Sequence, residues 1–346
     1  MSYARGWQAI HLEMSDRIPH TEYIFHRQFT LKMTGLDPES RDPGEREQAT
    51  IKLARALDYD FMWSAYFMPY EGLRTEMGHG QYTETGTDIV EAVTPFTSPE
   101  QVLAFEPERD IRAPSAGELT ELVRAWHARA QADYPEAVLP GGFYRGVFTW
   151  AILTFGWEQF MLAAAIDEPR FDRILEGFTR ITRRVVDAHI AARIPIFLWH
   201  DDLVWSQGPP FRPQWYRKYI FPRYRRLWAP LREAGIKILF CCDGDFTAFI
   251  DDLAEAGCDG FIFEPYTSLA GIVERYGRTH VIMGNIDTRI LTFGSHDQIR
   301  AEVKRCADLG RGCPGYFFAV GNHIPYNVPI PAIECYLEAI REMGRR

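Results

Sequence analysis

The stretch IPIFLWHDD, residues 194–202, decides the fold, because six apolar residues run directly into three ionisable ones. A continuous apolar run of this length is typical of a strand buried on both faces of a parallel sheet. The same pattern recurs along the second half of the chain as IKILFCCDG at 236–244, GFIFE at 260–264, HVIMGNID at 280–287 and YFFAVGNH at 316–323. Helical patterns separate and follow these runs, and this alternation predicts parallel strands joined by right-handed crossovers.

Polar residues at the carboxyl ends of successive parallel strands meet on one face of a β/α barrel, where such proteins build active sites. We therefore predict one α/β domain over residues 1–346, a single (β/α)8 TIM-type barrel. Residues 1–58 are predicted to form an irregular N-terminal arm or helical extension that covers the barrel. A doubly wound sheet would need a glycine-rich phosphate loop, and the glycine cluster GGFYRG at 141–146 lacks the required spacing.

Composition excludes several classes of function. The net charge of -9, without a Lys/Arg cluster interleaved with aromatic residues, argues against nucleic-acid binding. No apolar run is long enough to span a bilayer, and the first residues lack the apolar core of a signal peptide, so we expect a cytoplasmic protein with no membrane partner. The six cysteines are expected to be reduced thiols.

Two strand ends carry the most informative chemistry. Asp201 and Asp202 are adjacent, so their side chains should project in opposite directions, one into the barrel mouth and one against nearby structure. Cys241 and Asp243 are two residues apart and could face the same side as half of a metal site. The other interpretation of this pair is a buried cysteine followed by an aspartate that caps the next helix.

The predicted site extends around the mouth. Catalytic roles are assigned to Asp202, Asp243 and His323, because carboxyl and imidazole groups can hold or deliver protons. The residues predicted to contact a small-molecule substrate are Asp201, Glu264, Asn285, Asp287, Asn322, Tyr144 and Trp63, with Tyr66 and Trp150 as further aromatic lining. A segment containing His20, Glu22, His26 and Arg27 is either a lid over the mouth or a surface arm.

These segments resemble the uroporphyrinogen decarboxylase superfamily, which also holds corrinoid-dependent methyltransferases. The stretches that carry the resemblance are RIP at 17–19, GVFT at 146–149, CDGD at 242–245, GNID at 284–287 and HIP at 323–325. The resemblance covers most of the chain, although it is not a close match to a true uroporphyrinogen decarboxylase. It implies a single β/α barrel whose site lies at the carboxyl-end mouth.

The resemblance implies either of two chemistries, since one fold can host several. True decarboxylases of the family carry an arginine-rich motif near the N-terminus, which grips the carboxylates of the porphyrinogen. Here that place holds FHRQF at 25–29, with a single arginine. One guanidinium supplies too little positive charge for a substrate with many carboxylates, so this departure weakens the porphyrinogen interpretation.

Family methyltransferases with a thiol acceptor bind zinc through a His-x-Cys pair and a later Cys. The corresponding positions here hold Cys241, Asp243 and Asn322, so none of the three ligands is kept. A replacement zinc set of Cys241, Asp243 and His323 is one alternative. Family members without the zinc set pass methyl groups to a pterin such as tetrahydrofolate.

We therefore expect a methyltransferase-like transfer of a one-carbon unit between a corrinoid (cobalamin), carried by a partner protein, and a small acceptor such as tetrahydrofolate. The alternative is a decarboxylase, a lyase acting on a carboxylated substrate. A third interpretation is a binding protein without catalysis, against which the many strand-end acids argue. The oligomeric state, monomer or homodimer, is left open by the sequence.

Overall fold

The computed structural model describes residues 1–63, 81–83, 86–88 and 95–346, with the backbone alone for 81–83 and 86–88. The helices are α1 (Tyr3–Ile10), α2 (Arg27–Thr34), α3 (Pro43–Ala56), α4 (Pro99–Leu103), α5 (Pro107–Asp110), α6 (Ala116–Asp133), α7 (Val147–Phe155), α8 (Trp157–Ile166), α9 (Glu168–Ala192), α10 (Pro213–Tyr219), α11 (Phe221–Glu233), α12 (Ile250–Ala256), α13 (Leu269–Tyr276), α14 (Thr288–Phe293), α15 (His296–Gly310) and α16 (Ile330–Met343). The strands are β1 (Ile24–Phe25), β2 (Gln81–Thr83), β3 (Gly86–Asp88), β4 (Gly141–Phe143), β5 (Ile196–His200), β6 (Lys237–Cys242), β7 (Gly260–Phe263), β8 (Val281–Met283), β9 (Tyr316–Phe317) and β10 (Ile324–Pro325).

Six parallel strands form the central sheet in the order β4-β5-β6-β7-β8-β9. All residues of β5, β7 and β8 are buried, which explains why these strands are continuous apolar runs in the sequence. The register places His200 of β5 opposite Cys241 of β6, and Cys242 of β6 opposite Phe263 of β7. The carboxyl ends of neighbouring strands are therefore level with one another.

Two short segments close the sheet into a ring. Segment 19–21 lies beside Phe318, whose N–H donates to the Pro19 carbonyl at 2.9 Å and whose carbonyl accepts from Thr21 at 3.1 Å. Segment 60–62 lies on its other side, since the Asp60 N–H donates to the His20 carbonyl at 2.9 Å. Segment 60–62 also forms backbone hydrogen bonds with both the N–H and the carbonyl of Val138, which lies just before β4. Eight parallel segments thus complete the barrel.

The predicted fold class, a (β/α)8 barrel, is confirmed. The first barrel segment, 19–21, falls inside the region 1–58 that was predicted to be an extension. That region is therefore partly built into the ring. The apolar run FMWSAYF at 61–67 also predicts a strand; segment 60–62 is the second barrel segment, and residues 64–67 of that run lie outside the described residues.

Helix α1 closes the end of the barrel opposite the mouth. Ala9 and Ile10 pack with Val138, Ile196 and Val281, at the amino ends of the strands, in a cluster inside the ring. This close packing depends on a glycine in the middle of α1: a Cβ atom at residue 6 would lie 2.1 Å from the carbonyl oxygen of residue 60. The N-terminal arm thus covers the barrel at its closed end.

The segment interpreted as a lid or a surface arm is largely integrated into the fold. His20 and Glu22 are buried in and just after the first barrel segment. The His26 ring accepts a hydrogen bond from the first turn of α2. Of these four residues only Arg27 is exposed, and it pairs with Asp37 on the surface. Among the described residues, none of the helices has the length and apolar character that a bilayer crossing requires.

Candidate active site at the barrel mouth

Three neighbouring strands bring four polar side chains together at the barrel mouth. Tyr144 follows β4, His200 ends β5, Asp202 lies two residues beyond it, and Asp243 follows β6. We call these four residues the mouth cluster. His200 and Asp202 share one side because alternate residues of an extended chain project the same way.

Short contacts tie the mouth cluster together. Nε2 of His200 lies 3.0 Å from Oδ1 of Asp202, and the backbone N–H of Asp243 donates to the same oxygen at 3.3 Å. The Tyr144 ring packs edge-on against His200, with ring centroids 4.1 Å apart, and its hydroxyl hydrogen-bonds to Asp202. One potential metal-ligand atom from each of His200, Asp202 and Asp243 lies within 4.8 Å of the other two.

Electrostatics give the two aspartates opposite ionisation preferences. Burial disfavours the charged form of Asp202, but the neighbouring His200 ring and its hydrogen bond outweigh it, and the pKa of Asp202 falls below its usual range. Burial and then repulsion from Glu264 and Asp202 raise the pKa of Asp243 well above its usual range. Burial likewise raises the pKa of Tyr144. An ionised carboxylate beside a protonated carboxyl can accept, hold and return a proton.

A second polar chain borders the mouth cluster. One oxygen of Glu264 accepts from the Gly244 N–H at 2.8 Å, and the other accepts from Nδ2 of Asn322, also at 2.8 Å. Oδ1 of Asn322 in turn lies 2.5 Å from Nδ1 of His323. These contacts join the ends of β6 and β7 to the loop after β9, so the predicted residues Glu264, Asn322 and His323 lie in one connected network.

Aromatic residues complete part of the lining. Trp63 lies 6.4 Å from Tyr23, and Tyr23 lies 6.2 Å from His323, measured between ring centroids. Trp63 thus lies near the second polar chain, whereas Tyr66 lies outside the described residues. Trp150 departs from the expectation: it stacks on Phe178 of α9 in the helical layer, 5.5 Å away.

Asp201 supports the fold and does not face the substrate space. Its carboxylate accepts hydrogen bonds from the backbone N–H groups of Phe148 and Thr149, at 3.1 and 2.5 Å, and from the Tyr224 hydroxyl at 2.5 Å. The two N–H groups belong to the first turn of α7, whose own N-cap, Gly146, offers no side chain. The predicted substrate contact of Asp201 is therefore replaced by a capping role.

Asn285 and Asp287 also turn away from the mouth cluster. Nδ2 of Asn285 donates to the Thr267 carbonyl at 2.8 Å, and its Oδ1 accepts from Arg305 at 3.1 Å. Asp287 is the N-cap of α14 and pairs with Arg289. Both side chains are occupied in joining strands to helices, because the chain bends into α14 directly after β8. They do not lie among the groups that meet at the mouth.

The zinc set of Cys241, Asp243 and His323 is not brought together. Cys241 is fully buried in the cluster inside the ring, and His323 is held beside Asn322. Asp243 instead approaches His200 and Asp202, and among the described residues this trio has the spacing that could hold a metal ion. All six cysteines are free and buried, as thiols.

His200 and Tyr23 are the residues that sequence reasoning missed. His200 precedes Asp202 by two positions, and strand alternation alone would have placed both on the same side. Tyr23 follows the short first barrel segment, which carries no periodic signal. The fold and the site together define a β/α-barrel protein with acids, histidines and aromatic rings at its carboxyl-end mouth.

Comparison with known proteins identifies the family. The chain matches the uroporphyrinogen decarboxylase (URO-D) family over residues 47–343, and it belongs to that family. It is 28% identical to the uroporphyrinogen decarboxylase of Thermus thermophilus over 178 residues, 51% of this chain and 50% of that protein. It is 22% identical to the enzyme of the same name from Carboxydothermus hydrogenoformans over 86% of this chain and 82% of that one.

Several of the matches to curated decarboxylases are partial: the chain spans about half the length of the first of them. A solved structure described as a methyltransferase from Methanosarcina mazei shares the fold, with a TM-score of 0.67, 16% identity and coverage of 98% of both chains. The superfamily of this chain is thus one of enzymes, with decarboxylases and a methyltransferase among the similar proteins.

Proposed function

We propose that this chain is a methyltransferase that moves a one-carbon unit between a corrinoid on a partner protein and a small acceptor such as tetrahydrofolate. The observation that carries the proposal is the charge of the mouth. Asp202, Asp243 and Glu264 converge there, and the groups that shift the pKa of Asp243 after burial are the other two acids. Arg27, the arginine of the FHRQF segment, is turned outward to Asp37.

This charge distribution suits a pterin better than a polycarboxylate. A substrate with many carboxylates would be repelled by ionised Asp202 and needs several guanidinium partners. A pterin ring presents N–H groups, which carboxylates and amide oxygens accept well. The partly buried Tyr23 ring, 6.2 Å from His323, lies beside the Glu264–Asn322–His323 network and offers a surface for a flat heterocycle.

The residues of this chain would bind the acceptor and manage its proton. A bound methylcorrinoid supplies the methyl group as an electrophile to the acceptor. His323, held at Nδ1 by Asn322, is placed to take the proton that the acceptor nitrogen loses on methylation and to return it in the reverse direction. Asp202 and Glu264 accept hydrogen bonds from the acceptor and fix its orientation.

The proposal is tested by an anaerobic spectrophotometric assay with methylcobalamin and a panel of acceptors that includes tetrahydrofolate and thiols. Demethylation of the corrinoid that depends on tetrahydrofolate is expected from the wild-type protein. His323→Gln should lower its rate by about 10²-fold or more, the usual contribution of a general acid–base group. Asp245→Asn is the control, because the Asp245 carboxylate bonds only to Thr247 among the described residues.

Decarboxylation is the second candidate, since the curated relatives named above are uroporphyrinogen decarboxylases. Carbon dioxide released from a carboxylated substrate, with no acceptor-dependent loss of methylcobalamin, would select it over methyl transfer. An acid at the mouth would then stabilise the cation formed when the substrate is protonated.

A further inference from the structure

We infer that His200, Asp202 and Asp243 form a binding site for one divalent cation, with Zn²⁺ as the best fit. The ligand atoms come from the ends of two adjacent parallel strands, β5 and β6, and lie within 4.8 Å of one another. Two carboxylates and one imidazole are ligands that Zn²⁺ accepts. This inference does not rest on methyl transfer, because cation binding can be measured without any reaction.

The spacing of the three groups suits a metal ion. Ligand atoms about 2.1 Å from a tetrahedral Zn²⁺ are about 3.4 Å apart. The observed span runs from 3.0 Å, between Nε2 of His200 and Oδ1 of Asp202, to at most 4.8 Å. Shifts of about 1 Å in the positions of the side-chain ligand atoms would therefore bring all three into contact with one ion. Three protein ligands leave a fourth position open, as in catalytic zinc sites.

Burial and charge supply an independent reason for a cation. His200 is 4% and Asp202 7% exposed, Asp243 is partly buried, and the Glu264 carboxylate is held beside them by the Gly244 N–H at 2.8 Å. Negative charge gathered away from water is costly unless a positive charge balances it. One imidazole can balance a single carboxylate, whereas a divalent ion would balance Asp202 and an ionised Asp243 together.

The surroundings hold the ligands in place. The Asp202 N–H donates to Oγ1 of Thr149 at 2.8 Å, which fixes the backbone that carries one ligand. Tyr144 packs on the His200 ring and hydrogen-bonds to Asp202. Contacts of this kind orient the side chains that bind the metal directly, and they strengthen metal binding. The site thus lies between the ends of β5 and β6, with ligand atoms from His200, Asp202 and Asp243.

The test is titration of the chelator-treated full chain with ZnCl2 by calorimetry, together with the visible and near-ultraviolet spectrum after CoCl2 is added. About one Zn²⁺ per chain is expected, and affinity should fall at least about tenfold in both His200→Gln and Asp243→Asn. Cys241→Ser and His323→Gln should bind as the wild type does. Co²⁺ should give d–d bands without a thiolate charge-transfer band, because no sulfur is a ligand.

Three results would overturn the inference. The first is no Zn²⁺ binding by the wild type, and the second is equal affinity in the wild type and in Asp243→Asn. The third is a thiolate-to-cobalt band that disappears in Cys241→Ser, which would place the ion on the cysteine. Circular dichroism of each variant separates loss of the site from loss of the fold. Failure of the methyl-transfer assay with normal Zn²⁺ titrations would contradict only the proposed function.

Discussion

Asp201 and Asp202 are adjacent and chemically identical, yet replacing them should have very different consequences for the stability of the fold. Asp201→Ala removes the acceptor of two backbone N–H groups and of the Tyr224 hydroxyl, all buried. Each unsatisfied buried donor costs about 1–2 kcal/mol, so the three together give an expected loss of stability of about 3–6 kcal/mol. Asp202→Asn keeps an acceptor oxygen for the Asp243 N–H; it loses the charge that His200 contacts but also the cost of burying that charge, so its stability should change by less than about 1 kcal/mol.

Thermal unfolding followed by circular dichroism measures the difference. For a chain of 346 residues, the usual entropy of unfolding per residue converts 1 kcal/mol to about 1.4 °C. Asp201→Ala should therefore lower Tm by about 4–8 °C, whereas Asp202→Asn should remain within about 2 °C of the wild type. The reasoning is refuted if Asp201→Ala keeps the wild-type Tm, or if both substitutions lower it equally.

Three further predictions concern the rest of the barrel. Gly6→Ala should lower Tm by several degrees, because its Cβ would lie 2.1 Å from a carbonyl oxygen of the ring; Gly117→Ala, in open space on α6, should not lower it. Burial lowers the pKa of His189 to about 4, so the stability from its neutral ring is present above pH 6.5 and falls by about 2 kcal/mol between pH 7 and pH 5. Urea midpoints at both pH values should show that His189→Gln has a shallower decline, and an unchanged slope would count against this assignment. Finally, the six buried thiols should react with a thiol reagent such as dithiobisnitrobenzoate only on unfolding, and rapid labelling of the native protein would contradict the burial.

The sequence predicted the later barrel strands well, because each is a buried apolar run that ends in polar residues. The first segment, 19–21, escaped prediction since it is three residues long and held by backbone bonds to Phe318, which is distant in the chain. No local pattern records such a contact. Helix α1 was likewise hidden, because its place is determined by packing against strand ends that come much later.

For the site, sequence position predicted which residues follow strands but not where their side chains point. Alternation was sufficient at Asp201 and Asp202, since both lie directly after an extended strand. It failed at Asn285 and Asp287, because the chain leaves β8 for a helix whose N-terminus needs a cap. The grouping of His200, Asp202 and Asp243 was missed because the sequence places His200 at a strand end but does not show which side chains of the next strand it meets.

The closure of the ring by segment 19–21 has a consequence for biosynthesis. The Val320 N–H donates to the Glu22 carboxylate, 298 residues earlier, so the barrel cannot close until almost the whole chain has left the ribosome. Contacts of such long sequence separation slow folding. Until β9 arrives, the first segment and β8 each present an unpaired edge that can pair with other chains. We therefore expect the nascent protein to depend on chaperones that shield open sheet edges, and its yield to fall when synthesis outpaces their supply.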